Sequence, residues 1–281
     1  MATHKVDGDA GEKIQDKIAV ARPGDTILVS GTCRETVNIP SEVIRITLDG
    51  QGKAAIEGPA KGDAFFIRGK DITIKGFTIS AGRDGIHLSG AAGGASATIE
   101  GNTIRKTGRH GVHMDHSGVS RLAGNTIENV PVFGIDVGES SVARIGYLLR
   151  PLGRAANTIR QCGQHGIAVT RASSARIVGN TIENNGGSGV FVSRNSQADI
   201  FGNSISGNAG NGITASQNSG VNLGNEDKMF DLGPNETRAA TKNAGFGLSG
   251  SVGGYADGPL GSLDGVRGAK DMDKTCVDHL T

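Results

Sequence analysis

Short alternations of apolar and other residues recur along the chain: GIHL at 85–88, GVHM at 111–114, GIDV at 134–137, GIAV at 166–169, GVFV at 189–192 and GITA at 212–215. A period of two is strand character, because successive side chains point to opposite faces. Val190 and Val192 therefore share one face and Phe191 takes the other. Between these runs lie a second motif and a glycine-rich turn. GNTI stands at Gly101, Gly124 and Gly179, with GFTI at Gly76, ANTI at Ala156, GNSI at Gly202 and LGN ending at Asn225. Steps of 23 separate 101 from 124, 156 from 179 and 179 from 202, while 124 to 156 is a step of 32 that marks an insertion. Self-similarity at such a period predicts a solenoid, in which each coil buries its apolar row only by stacking on its neighbours. A leucine-rich repeat has a similar period but needs regularly placed leucines and a helical back, and the sequence has neither. The reading is an all-β, single-domain parallel β-helix.

Composition fits this. Glycine numbers 46, tryptophan is absent and aromatic residues are 4%, too few rings for an ordinary core of this size, whereas stacked Ile, Val and Leu rows suffice. Net charge is +1, so no global field favours nucleic acid, and no apolar run is long enough for a membrane span. Three boundaries are expected: residues 1–24 as N-terminal segment and capping helix, 25–255 as the β-helix, and 256–281 as an irregular tail. The insertion falls at about 144–156, where Tyr147, Leu148 and Leu149 suit a lid or contact loop, and a long loop at about 226–245. Cys33 and Cys276 are either a disulfide or two reduced thiols; if paired, the tail would run back along the solenoid over one face. Cys162 reads as structural.

The recurrent turn asparagines Asn102, Asn125, Asn157, Asn180, Asn203 and Asn225 resemble the asparagine ladder of right-handed, pectin-lyase-like β-helices. The entry segment GEKIQDKIAVARPGDTILVSGTCRETVNI is similar to that superfamily's start, with Ile14, Ile18 and Ala21 on one helical face. The resemblance covers about residues 11–255. It implies a secreted, periplasmic or cell-surface protein whose export signal is not part of this sequence, and a polysaccharide groove on the alternating strands. On function it leaves lyases, hydrolases, epimerases and binding proteins open.

In GRHGVHMDHSG (108–118), Val112 and Met114 belong to the inward row, so His113 and Asp115 face out. The same register puts His87 outward one coil earlier and Asp136 one coil later, strands apart by about 4.8 Å. His110 precedes this row, Arg83 and Arg109 end the turns, and Lys106 lies on the approach; His116 reads as a solvated turn residue. Later matched positions read Ala168, Phe191 and Thr214, so titratable groups concentrate on the first three coils. Many enzymes of the superfamily remove the proton beside a uronate carboxylate, which needs a base, a cation and an acid. His113 is the candidate base, because imidazole titrates near neutrality; Asp115 would orient it. Arg83, Arg109 or Lys106 would hold the carboxylate, and His87 or His110 would supply a proton. HGVHMDH is similar to the mannuronan C5-epimerase strand pattern with the aspartate and histidine exchanged and the proline missing. Asp115 with Asp136 is an alternative inverting-hydrolase pair, and His87, His113 and Asp136 an alternative divalent-metal set, although no cofactor is required. The expected partner is an acidic glycan; the competing expectation is a β-helix that binds glycan or a partner, or serves as structure, without turnover.

Overall fold

The computed structural model describes residues 1–146, 155–224 and 232–281. Its chain winds into a parallel β-solenoid, every coil pairing in register with the next. Ile104 sits over Ile127, then Ile159, Ile182 and Ile205, and all five are fully buried. Each such side chain withdrawn from water contributes roughly 1.5–3 kcal/mol before conformational entropy is subtracted, and a period-two strand supplies one at every second position. The corners between strands use left-handed backbone: Gly101, Gly124, Gly179 and Gly202 have φ between 62° and 66°, where a Cβ is costly.

Beside these glycines runs a column of buried amides. The Nδ2 of Asn102 donates to Asn125 Oδ1, and the pattern repeats through Asn157, Asn180, Asn203 and Asn235 at 2.9–3.1 Å. Each Oδ1 also accepts a backbone N–H, and each Nδ2 also reaches a backbone carbonyl, as from Asn102 to Ile74. The place expected for Asn225 belongs to Asn235, which rejoins the stack after the long loop; Asn225 lies outside the described residues, as do Tyr147, Leu148 and Leu149.

The two ends differ from expectation. Thr3–Asp7, polar in sequence, is a strand paired with Thr26–Ser30, with Val6 buried. Alternation is carried there by one apolar residue. A short helix, Ile14–Ile18, follows and buries its two isoleucines. At the other end the tail is not irregular: Tyr255–Gly258, Gly268–Met272 and Val277–Leu280 are strands that extend the stack. The tail therefore does not fold back over a face. Backbone pairing, available to any sequence, outweighs its glycine content. Cys33, on a strand that pairs with the early Thr47–Gly58, and Cys276, against Gly250 and Met272, sit at opposite ends, and all three cysteines are free. Cys162 is buried, and burial pushes its thiol up to about 12. No described helix is long and apolar enough to cross a membrane.

Candidate active site

One sheet of ten parallel strands, from Val37–Ile39 to Gly268–Met272, carries the alternating motifs. Its register aligns Phe66, His87, His113, Asp136, Ala168, Phe191 and Thr214 in one outward row. Met114 and Val112 point inward and are fully buried.

The outward row closes into an alternating chain of carboxylates and imidazoles. His87 Nδ1 donates to Asp63 Oδ2 at 2.9 Å and its Nε2 to Asp115 Oδ2 at 3.0 Å. His113 Nδ1 donates to Asp136 Oδ2 at 2.9 Å, and its Nε2 faces Asp115 Oδ2 at 3.6 Å. Carboxylates only accept, so a ring held at both nitrogens by carboxylates is stabilised as imidazolium. Burial opposes the charge on His113, but Asp115 and Asp136 outweigh it and push the pKa up to about 9. His87 is likewise raised, burial being overcome by Asp115 and Asp63. Asp115, despite burial, is held far below the usual carboxylate range by His113 and His87. The two carboxylates thus favour the imidazolium form of His113 at neutral pH.

His110 is the opposite case. Burial drives its pKa down to about 4, and its Nδ1 accepts the Phe133 N–H at 3.3 Å, which leaves the proton of the neutral ring on Nε2. Rings stack along this wall in the order Phe66, His87, His113, His110, Phe133, His165 and Phe191, with centroids 4.4–5.4 Å apart. His165 thus meets His110 only through Phe133.

The cations fall differently from expectation. Arg83 makes a two-pronged pair with Asp63, both bonds 3.0 Å, and Arg109 does the same with fully buried Asp84. These guanidiniums neutralise buried acids, and Arg83 also lies 3.3 Å from His87 Nδ1. Lys106 is not at the row. It occupies a separate hollow with Arg34, Glu35 and Glu57, because it is the turn residue that follows Thr103–Arg105 of the neighbouring sheet. Nor do His87, His113 and Asp136 converge on one point: Asp136 touches the Nδ1 side of His113, and the imidazole stands between it and His87. The ring of His113 stands between Asp115 and Asp136, and both carboxylates line the same groove.

A groove of about 640 Å³ opens beside the cluster, lined at one end by Arg109, His110, His113, Asp115 and Asp136 and further along by Phe191 and Arg194. One lip is a column of turn residues, His116, Glu139, Arg171, Arg194 and Gln217, all with φ of 49–58°. His116 Nδ1 stands 3.0 Å from Asp115 Oδ1 and 3.3 Å from Glu139. Arg171 and Arg194 are exposed, and neither has a carboxylate partner among the described residues. Sequence reading missed Asp63, Asp84 as a partner, and both lip arginines. Extending the alignment one coil upstream, so that GDAFFI lies under RDGIHL, places Asp63 beneath Asp84 and would have found the former.

Residues 63–227 match the family model described as Right handed beta helix region. No curated protein matches the sequence. Among solved structures, a point mutant of the periplasmic alginate epimerase AlgG superposes with a TM-score of 0.60 at 13% identity, covering 99% of this chain and 82% of that one. Pectate lyase Pel9A gives 0.59 at 12%, covering 98% and 79%. The Azotobacter vinelandii mannuronan C-5 epimerase AlgE6 A-module gives 0.58 at 13%, covering 99% and 88%. At these identities the likeness is one of fold.

Proposed function

The chain belongs to the right-handed β-helix family, and on that fold we propose that its groove receives an acidic polysaccharide on which His113 carries the proton beside a uronate carboxylate, as a lyase or C5-epimerase. The observation behind this is the placement of His113, locked between Asp115 and Asp136, at one end of a long groove. Arg171 and Arg194, without carboxylate partners among the described residues, are the cations left to meet sugar carboxylates, while Phe133 and Phe191 offer ring faces to a pyranose. The neighbours of this shape include an alginate epimerase, a mannuronan C-5 epimerase and a pectate lyase. Such a role puts the protein outside the cytoplasm, secreted, periplasmic or at the cell surface.

Because His113 rests as imidazolium, abstraction uses its deprotonated fraction, so turnover rises with pH toward about 9. Protonation of the opposite face or leaving oxygen falls to a neighbouring imidazolium, with His87 the nearest. A second reading, glycan binding without turnover, is favoured by the carboxylates at both nitrogens of His113, which leave no free lone pair in the resting state.

The test is incubation with alginate, polygalacturonate and glycosaminoglycan, following ultraviolet absorbance of unsaturated ends and proton NMR for epimerisation. Turnover that falls roughly 10²–10⁴-fold in His113→Ala supports the proton role. Retention of all polymers on a glycan array, with none altered, selects binding; activity unchanged in His113→Ala clears that residue.

A further inference from the structure

Two imidazoles and one carboxylate meet at a single point beneath the groove. His87 Nε2 and His113 Nε2 lie 3.0 and 3.6 Å from Asp115 Oδ2, and the three ligand atoms are all within 4.8 Å of one another. A tetrahedral ion with bonds of about 2.0–2.2 Å sets its ligand atoms roughly 3.3–3.5 Å apart. The observed separations bracket that spacing. The far nitrogen of each ring is also fixed: His87 Nδ1 donates to Asp63 and His113 Nδ1 to Asp136. A carboxylate behind each imidazole is the arrangement that orients metal-binding histidines and raises their basicity. Asp115 Oδ1 is held apart from this point, 3.0 Å from His116 Nδ1, which leaves Oδ2 facing the two rings.

We propose that His87 Nε2, His113 Nε2 and Asp115 form a three-ligand site for one divalent ion of the zinc class, with Asp63 and Asp136 as the outer carboxylates. The nitrogen donors select a borderline ion over calcium, which prefers an oxygen shell. Of the other groupings, His110 with His113 and Asp136 is unsuited, because His110 Nδ1 already accepts a backbone N–H and its Nε2 must keep a proton. The charges present suit a cation: three carboxylates, Asp63, Asp115 and Asp136, bond to the two rings. The surrounding charges stay as they are: Arg83 on Asp63, Arg109 on Asp84, and His116 with Glu139 at the lip. His110, beside Asp136, remains neutral.

This inference deepens the proton-carrier reading, since His113 cannot exchange a proton at Nε2 while that atom binds metal. The ion is therefore an inhibitor of the proposed turnover, and binding is testable without turnover.

The experiment titrates the full chain with Zn²⁺ alone, and with Co²⁺ for its visible ligand-field bands. Calorimetry at neutral pH in buffers of different ionisation enthalpy counts the protons released. One ion per chain, tetrahedral Co²⁺ bands and a net release of protons are expected. His87→Ala and Asp115→Asn abolish the bands, whereas His116→Ala and Glu139→Gln keep them. Asp63→Asn and Asp136→Asn, which leave the ligands in place, weaken binding roughly 10–100-fold. Binding that survives in His87→Ala, or no bands in wild type whose circular dichroism shows a folded chain, overturns the site. Turnover of polymer in the presence of chelator is a separate readout, so failure of the ion site and failure of the proton-carrier reading are told apart.

Discussion

Two buried polar columns run parallel along this solenoid, and they are built differently. The asparagine column from Asn102 to Asn235 repeats one residue, and each amide is satisfied by its neighbours above and below. The column through Asp63, His87, Asp115, His113 and Asp136 mixes acids with imidazoles, carries formal charges, and leaves Asp136 Oδ1 buried without a hydrogen bond. Buried polar groups are nearly always paired, and the asparagine column meets that rule throughout, whereas Asp136 keeps acceptor capacity beside the groove. The asparagines stand at the corners between strands, the acid–base groups on and beside the outward row of the ten-stranded sheet, so place in the coil separates them as well as chemistry.

The sharpest way to break this contrast is to damage each column in turn. Asn157→Ala deprives Asn125 of its acceptor and Leu122 of its donor, and should lower unfolding free energy by roughly 2–4 kcal/mol, read from urea denaturation. It should leave binding of polymer by the folded protein unchanged. The acid–base column should respond to pH instead. His113 has a folded pKa of about 9, raised above its ordinary value, so its stabilisation is complete below about 6.5 and is lost as pH rises through 9. His110 runs the other way: with a depressed pKa of about 4, it costs stability as pH falls from about 6.5 toward 4. A stability optimum near neutrality, each flank of order 1–3 kcal/mol, is expected from thermal melts. The upper flank should shrink in His113→Ala, leaving the part due to His87, and the lower should shrink in His110→Phe, leaving the part due to His165 and the lowered carboxylates.

Next in size is a swap that converts the site into scaffold. His113→Phe with Asp136→Ala copies the Ala168 and Phe191 of later coils. Removing buried charges together is often neutral or stabilising, so unfolding free energy should move by less than about 1 kcal/mol while any proton chemistry disappears. A loss of several kcal/mol would mean that the acid–base column is scaffold after all. Smallest is Lys106→Ala, in a hollow apart from the groove; stability should change by no more than about 0.5 kcal/mol, and polymer affinity, measured by calorimetry, not at all.

What the sequence disclosed follows from periodicity. The outward register of His87, His113 and Asp136 was legible because the Gly-apolar-X-apolar motif fixes inside and outside unambiguously. Hydrogen-bond partners were not, since they depend on side chains reaching diagonally between coils: Asp63 lies 24 residues from His87, and Asp115 lies 28 away. Charge states were hidden for the same reason, because burial and two carboxylates compete at His113. The tail escaped notice because Gly268–Met272 pairs through its backbone and shows no alternation to read.

Among the described residues, the hydrogen bonds of the acid–base column reach no further than the adjacent coil. Chemistry and reach are consequently separate variables in this architecture. Duplicating a repeat downstream of Asp136 would advance the groove floor by one strand spacing, about 4.8 Å, and leave every bond at His113 as it stands. On the proposed function, selection acting on repeat number would tune how much polymer is held without revisiting what is done to it.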